Sequence, residues 1–133
     1  TMEHIALSNA LFNKSLVLVK ASADTSYRVI ETLLKKQGNL EIRWHSDTIE
    51  ALADIFFSKP KLIIVFEDSN TEGLDFLELV RNNPQFADLQ AFLVLPQPLK
   101  LKHKLRKSLG KTERFSTPID HERFFELLTK TLA

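Results

Sequence analysis

Short apolar runs alternate with segments of helical periodicity along most of the chain. Residues 16–19, 62–66 and 91–95 are continuous apolar runs, which predict strands buried on both faces. Residues 40–44 alternate between apolar and polar side chains, which predicts a half-buried strand. Residues 114–116 form a short fifth candidate, so the pattern predicts five strands.

Between these strands, apolar side chains recur three and four residues apart, which is typical of a helix with one buried face. Residues 25–37 and 98–109 are two such segments. Asp47 and Asp120 can each cap a further helix, because a side-chain oxygen there can accept a backbone N–H of the first turn. The predicted inner faces of the two middle helices are Ile49, Leu52, Ala53 and Phe56, and then Leu74, Leu77, Leu79 and Val80.

Strands that alternate with helices of about ten residues predict an α/β fold with a parallel sheet and right-handed crossovers. The chain of 133 residues has the length of a single domain. We expect this domain to span residues 14–133. Residues 1–13 fit none of the strand–helix units and are predicted to form an N-terminal arm.

The composition excludes several kinds of site. Cysteine is absent, which excludes thiolate chemistry and fits a reducing compartment, so we expect a cytoplasmic protein. The three glycines are too few for a dinucleotide fingerprint or a phosphate-binding loop. No apolar run approaches the roughly 20 residues of a membrane span. The four histidines lack metal-ligand spacing and are expected to face solvent. We therefore predict no cofactor, no metal and no small-molecule substrate.

The order and spacing of the elements resemble the receiver domain of two-component response regulators, the CheY-like family, over about residues 14–133. The best stretch is residues 73–84, GLDFLELVRNNP, followed by residues 89–95, which are similar to the family's third helix and fourth strand. Residues 46–52 resemble the start of its second helix, and residues 117–120 the turn after its fifth strand. The resemblance implies a flavodoxin-like, doubly wound sandwich of five parallel strands in the order 2-1-3-4-5, with helices on both faces.

The residues that carry the chemistry of that family are not matched. Receivers accept a phosphoryl group on an aspartate that ends the third strand, and two acids after the first strand hold Mg²⁺. Here the acceptor position is Phe66 when it is counted from Pro60, and Val65 when it is counted back from Gly73. Neither side chain can be phosphorylated, so we predict no catalytic residue.

The other positions of the family's site also differ. The acid pair falls on Lys20 and Ala21, or on residues 22–23 in a second alignment. The hydroxyl position falls on Leu95, and the lysine position on Thr117. The resemblance therefore implies a degenerate receiver, or pseudo-receiver, with a pocket formed by Lys20, Ala21, Phe66, Leu95 and Thr117.

Glu67 and Asp68 are the nearest acids to the acceptor position, and two interpretations of them stay open. A local shift of the chain could aim one carboxylate into the pocket, where Lys20 would pair with it. The favoured interpretation is an acidic, solvated loop, because loops after strands are usually polar.

Charge is concentrated in residues 98–114, which we call the basic segment. It contains seven basic residues and one acidic residue, whereas the rest of the chain has eleven basic and sixteen acidic residues. Leu101, Leu105 and Leu109 form a narrow apolar seam on its predicted helix. The segment is either a docking surface for an acidic protein or a solvated helix, and the resemblance places partner contacts in residues 98–132. The candidate contact residues are Lys100, Lys104, Lys107, Lys111, Arg114 and Phe125.

Most of the ten phenylalanines are predicted to lie in the core. In each of the pairs 56–57 and 124–125 one ring must point outward, because neighbouring residues of a helix face different directions. An exposed Phe125 would mark a partner or dimer surface.

Three functions stay open at this point. The favoured one is a non-catalytic signal-transduction module that acts through phosphorylation-independent contacts with another protein; a homodimer is also open. The alternative is a phosphorelay receiver with a displaced acceptor, Asp68 or Glu67, which is the only case in which we expect an enzyme-like activity. The third is binding of nucleic acid or another polyanion through residues 98–111.

Overall fold

The computed structural model of the protein describes residues 16–20, 41–67, 72–95, 110–116 and 118–132, together with Thr32. The predicted N-terminal arm, the first predicted helix apart from Thr32, and the predicted helix 98–109 lie outside the described residues. The described residues form five strands, three α-helices and one 3-10 turn.

The five described strands form one parallel sheet: β1 (Leu16–Lys20), β2 (Ile42–His45), β3 (Leu62–Phe66), β4 (Gln90–Leu95) and β5 (Thr112–Ser116). Their order is β2-β1-β3-β4-β5, so the predicted order is confirmed. The central strand β3 pairs with β1 on one side and with β4 on the other, and Ile64 lies opposite both Leu18 and Phe92.

The three described α-helices are α1 (Thr48–Ser58), α2 (Glu72–Arg81) and α3 (His121–Leu132). Asp47 caps α1 as predicted, since its Oδ1 accepts the backbone N–H of Ile49 at 2.8 Å. Asp120 caps α3 in the same way and accepts the N–H of Arg123 at 3.2 Å. α1 ends at Lys59, whose backbone is left-handed with φ at 48°. Within the described ranges, no helix has the length and apolar character needed to cross a bilayer.

The side chains of β3 divide the core into two layers, because successive residues of a strand point to opposite faces. Leu62, Ile64 and Phe66 lie in the layer beneath α3. Ile63 and Val65 lie in the layer beneath α1 and α2. Helices therefore cover both faces of the sheet, as the resemblance implies. The layer beneath α3 is completed by Phe92, Val94, Phe115, Ile119, Phe124, Leu128 and Leu132.

Two of the predicted helix faces differ from the structure. α1 buries Ala51 and Ile55, whereas Ile49 is 78% exposed and Ala53 is exposed as well. Phe56, also predicted to face inward, is 41% exposed, so both rings of the pair 56–57 are exposed. On α2, Leu79 is 55% exposed, although the other predicted residues are buried. The prediction was wrong at these positions because both helices carry apolar residues on more than one side. Periodicity alone then does not select the side that meets the sheet.

An ion-pair cluster fastens the edge strand β2 to α1. Arg43 Nε donates to both carboxylate oxygens of Asp54 at 2.9 Å, and His45 Nε2 lies 2.6 Å from Asp54 Oδ2. Ser58 Oγ accepts from Arg43 Nη2 at 2.7 Å and donates to Asp54 Oδ1 at 2.8 Å. The prediction of a solvent-facing histidine is therefore wrong for His45, because its ring faces a carboxylate on the neighbouring helix.

The cluster determines how readily Asp54 loses its proton. Burial by itself raises the pKa of the Asp54 carboxyl group. Hydrogen bonds from His45, Ser58 and Arg43, together with the charge of Arg43, outweigh the burial and hold this pKa below its ordinary value. The ionised form of Asp54 therefore stabilises the folded state.

Arg81, at the end of α2, joins this helix to the start of β5. The residue is 9% exposed, and its Nη1 donates to the carbonyl of Phe86 at 2.9 Å. Its Nη2 donates to the carbonyl of Lys111 at 2.8 Å. The guanidinium thus fixes the backbone where the basic segment enters the sheet.

Asp54→Asn is expected to lower the free energy of unfolding by about 2 kcal/mol at pH 7, because it removes the half-buried carboxylate that Arg43 Nε and His45 contact and leaves Arg43 only its more exposed pair with Glu41 at 3.1 Å. The folded-state pKa of Asp54 is lowered, so the wild-type contribution is complete above the ordinary aspartate pKa and is lost as the pH falls below about 4. Urea unfolding at pH 7 and at about pH 3 measures both effects.

The matched control is Asp88→Asn, since the Asp88 side chain is 88% exposed and pairs with Lys111 only at 3.5 Å. This control should change the free energy of unfolding by less than about 0.5 kcal/mol. Equal losses in the two variants would contradict the role given to Asp54.

Candidate functional site

The carboxyl ends of the parallel strands meet at one edge of the sheet, which is where ligands bind in open α/β sheets. β1, β3 and β4 end there at Lys20, Phe66 and Leu95, and the register places Lys20 opposite Phe66. Three of the predicted pocket positions thus lie on neighbouring strands. The other two, Ala21 and Thr117, lie outside the described residues.

Both candidate acceptor positions hold buried apolar side chains. Phe66 is 5% exposed, and its ring centroid lies 6.3 Å from that of Trp44. Val65 is completely buried in the layer beneath α1 and α2, and Leu95 lies in the same layer. These side chains belong to the core, so none of them offers a polar atom to a ligand.

Glu67, the first residue after β3, turns its carboxylate back into the protein. The residue is 4% exposed. Its backbone N–H donates to the carbonyl of Val94 at 2.8 Å, which continues the pairing of β3 with β4. Its carboxylate Oε2 accepts the backbone N–H of Leu74 at 2.6 Å. The interpretation of Glu67 as part of a solvated loop is therefore wrong.

The start of α2 explains the position of this carboxylate. The first four backbone N–H groups of a helix have no acceptor within the helix, and they carry a partial positive charge. Leu74 is the third residue of α2, and Glu67, which directly follows β3, supplies the acceptor for its N–H group. Hydrogen bonds to an ionised carboxylate are stronger than those to neutral acceptors. The bond therefore ties the end of β3 to the start of α2.

Gly73 permits this contact because it has no side chain. A Cβ atom at this position would lie 2.8 Å from Glu67 Oε2, 3.1 Å from Val65 Cγ1 and 3.2 Å from the carbonyl oxygen of Phe66. The first distance is shorter than real Cβ contacts and the other two are tight, so a side chain here would push Glu67 Oε2 away from the start of α2, and glycine lets α2 approach β3 this closely. The sequence signal was an acid directly after a buried strand, six residues before a glycine that opens a helix.

The described residues at this edge do not fit the Mg²⁺ site that the receiver fold implies. Mg²⁺ needs oxygen ligands in near-octahedral geometry. The strands end in Lys20, Phe66 and Leu95, and the carboxylate of Glu67 is bonded to α2. Across the described ranges, no three His, Asp or Glu side chains are placed to hold a metal ion. Asp68 lies outside the described residues.

Three of the predicted partner contacts are described, and they lie on β5, on the residue before it and on α3. The side chain of Lys111 is 57% exposed, and its Nζ lies 3.5 Å from Asp88 Oδ1. Phe125 is 37% exposed, whereas Phe124 is completely buried, so the predicted outward ring in this pair is confirmed. Arg114 is half-buried on β5. The remaining candidates, Lys100, Lys104 and Lys107, lie outside the described residues.

Arg123 holds α3 against β5. Its guanidinium lies 4.5 Å from the centroid of the Phe115 ring, and its Nη1 donates to the carbonyl of Arg114 at 2.9 Å. Its Nη2 lies 3.4 Å from Glu113 Oε2. β5 and α3 therefore form one continuous surface.

Glu67→Ala is expected to lower the free energy of unfolding by about 2 kcal/mol, because it removes the acceptor of a buried N–H group of α2. The control is Glu126→Ala on the exposed side of α3, which should change the free energy of unfolding by less than about 0.5 kcal/mol.

Gly73→Ala should lower the free energy of unfolding by about 1–3 kcal/mol, because its methyl group would meet Glu67. Thermal and urea unfolding measure all three variants. A Glu67→Ala variant that is as stable as the wild type would contradict the structural role of this carboxylate.

Comparison by sequence finds no relative, since no protein-family model and no curated protein matches the chain. Comparison by structure finds many. The chemotaxis protein CheY4 of Vibrio cholerae is 20% identical, with 88% of this chain and 97% of that chain covered and a TM-score of 0.68. The receiver domain of a signal transduction histidine kinase from Syntrophus aciditrophicus is 14% identical, with 90% and 89% covered and a TM-score of 0.72.

A third similar structure contains the metal ion that this chain's described residues do not fit. It is the receiver domain of a sensor histidine kinase from Pseudomonas aeruginosa, with magnesium coordinated in its active-site cleft. It is 14% identical, with 90% of this chain and 98% of that chain covered and a TM-score of 0.72. At sequence identities this low, structural similarity shows that the chain shares the fold of these proteins. The chain thus has the CheY-like receiver fold of response regulators, with the flavodoxin-like strand order 2-1-3-4-5.

Proposed function

We propose that the protein is a receiver-type signal-transduction module that is not an enzyme and acts through protein–protein contacts without being phosphorylated. The similarity to receiver domains supports a role in signalling. The single observation that carries the independence from phosphorylation is the buried carboxylate of Glu67, held 2.6 Å from the backbone nitrogen of Leu74.

Phosphoryl transfer to a carboxylate requires an oxygen that can approach the phosphorus in line with the leaving group. Phe66 and Val65, at the acceptor positions, have no side-chain oxygen. Glu67 has oxygens, but it is 4% exposed. To react it would first have to leave the N–H of Leu74 unsatisfied, at a cost of about 1–3 kcal/mol. These features favour a structural role for this carboxylate.

The same contact supports a single conformational state of the β3–α2 junction. A ligand switches a protein only when it binds one of two states more tightly than the other. Here the group that binds the start of α2 is the side chain of Glu67, which belongs to the protein itself. It is therefore present with or without a phosphoryl donor. Phosphorylation would then not switch partner binding on or off. Binding would depend on the side chains of the contact surface and on the concentrations of the two proteins.

The proposed contact surface consists of β5, α3 and the basic segment. Lys111 and Phe125 expose a cationic and an aromatic side chain on it. Because the basic segment concentrates positive charge, an acidic protein surface is the proposed partner. A cytoplasmic location belongs to the same proposal and fits the absence of cysteine.

Incubation with acetyl phosphate and Mg²⁺ is expected to leave the intact mass of the protein unchanged, because no accessible carboxylate is proposed at the acceptor position. Mass spectrometry before and after incubation gives the result, with Glu67→Ala and Asp68→Ala treated in parallel. A phosphoryl adduct that disappears in Asp68→Ala would contradict the proposal and identify a displaced acceptor. An adduct that disappears in Glu67→Ala would also contradict the buried role of that carboxylate.

Mg²⁺ is expected to leave the fluorescence of Trp44 unchanged. Trp44 is the single tryptophan, and its ring lies beside that of Phe66, so its emission reports on the end of β3. The titration is compared with KCl at equal ionic strength, which corrects for screening. A saturable change with Mg²⁺ alone would show a metal site at this edge and would contradict the proposal.

A further inference from the structure

A surface groove of about 580 Å³ runs between the start of α1 and the outer side of α2. Its lining includes none of Phe66, Glu67 and Leu95, and it shares no side chain with the contact surface proposed above. The residues that line it are Ser46, Asp47, Thr48, Glu72, Asp75, Phe76 and Leu79.

The groove is acidic along its rim. Asp47, Glu72 and Asp75 contribute carboxylates, and the described lining contains no Lys or Arg. Asp47 uses Oδ1 to cap α1. Because clefts lined by one sign of charge concentrate the opposite charge, this rim favours a cationic partner.

Two of the residues that line the groove are apolar. Leu79 is 55% exposed, whereas Phe76 is 3% exposed. Ile49, which follows the lining residue Thr48 on α1, is 78% exposed. Exposed large aliphatic side chains at a groove favour an apolar partner there. An occupant of this groove should therefore combine basic and aliphatic side chains.

We propose that this groove binds the basic segment of a second copy of the chain. Residues 98–114 carry seven basic residues and one acidic residue, and Leu101, Leu105 and Leu109 recur among them at four-residue intervals. The segment therefore offers lysines to the carboxylates of the groove and leucines to the exposed Leu79. The rest of the chain has an excess of acidic residues, so two copies complement each other in charge.

The contact joins two different surfaces, so it is head-to-tail, and a pair keeps one vacant groove on one copy and one vacant basic segment on the other. The assembly should therefore grow with concentration. This association uses the basic segment, which also belongs to the proposed contact surface, but it is independent of the proposed loss of phosphorylation, because it involves neither the acceptor positions nor Glu67. A phosphorylatable protein could associate in the same way, and a phosphorylation-independent one could remain monomeric.

Sedimentation velocity of the full chain over a range of concentrations tests the proposal. We expect the average mass to rise with concentration at about 0.05 M ionic strength, and the association to weaken at about 0.5 M, where the Debye length is much shorter. A monomer at every concentration and both ionic strengths would overturn the proposal. So would a compact monomer whose shape alone depends on salt, since that indicates docking within one chain.

Leu79→Lys is the groove variant, because it replaces an exposed apolar contact with a charge of the same sign as the segment. It should weaken the association at least tenfold, a loss of about 1.4 kcal/mol. Phe57→Lys is its matched control, since Phe57 is 90% exposed on α1 and does not line the groove. Equal effects of the two substitutions would overturn the assignment to the groove. Thermal unfolding checks that both variants stay folded.

Mixing two variants gives the sharpest result. Leu79→Lys retains its basic segment, and the double variant Lys104→Glu and Lys107→Glu retains its groove. Each alone should be monomeric at a concentration where the wild type associates. An equimolar mixture should form a dimer and nothing larger, because only one pair of intact surfaces remains. A mixture that stays monomeric would overturn the head-to-tail contact.

Discussion

Both layers of the core depend on the burial of β3. This strand pairs with β1 on one side and with β4 on the other, and its side chains are at most 5% exposed. Because its residues alternate in direction, Ile63 and Val65 pack against α1 and α2, whereas Ile64 and Phe66 pack beneath α3. A shift of one residue would exchange the two layers, so the register of β3 is strongly determined. That register sets where the next residue, Glu67, leaves the sheet.

The residues at the end of β3 stabilise the fold and offer no reactive group to a ligand. Phe66 completes the layer beneath α3, and Glu67 completes the hydrogen bonding at the start of α2. Gly73 allows the helix to come close enough for this bond. In our proposal the bond that joins strand and helix is also what keeps the carboxylate from a phosphoryl donor. Stability of the junction and loss of phosphotransfer then have one physical cause.

The two proposed contact surfaces have opposite charges and depend on different features of the fold. The groove between α1 and α2 owes its acidity partly to residues at helix starts, where carboxylates such as Asp47 and Glu72 are stabilised by the partial positive charge of the helix. The basic segment precedes and enters β5, where Arg81 holds the carbonyl of Lys111. Helix starts and strand connections occupy the surface of an α/β sheet, so charge placed there does not disturb the core.

Local sequence patterns were enough to predict the five strands, their parallel arrangement and the caps at Asp47 and Asp120, because apolar runs and caps act over a few neighbouring residues. The strand order came from the resemblance to receiver domains, and it is confirmed. The sequence also showed that the acceptor positions are apolar. The packing of the elements was needed to show which side of α1 meets the sheet, that His45 faces Asp54, and that Glu67 points inward. These outcomes depend on groups that the fold brings near from other elements, such as a vacant N–H at the start of a neighbouring helix, and local periodicity carries no information about them.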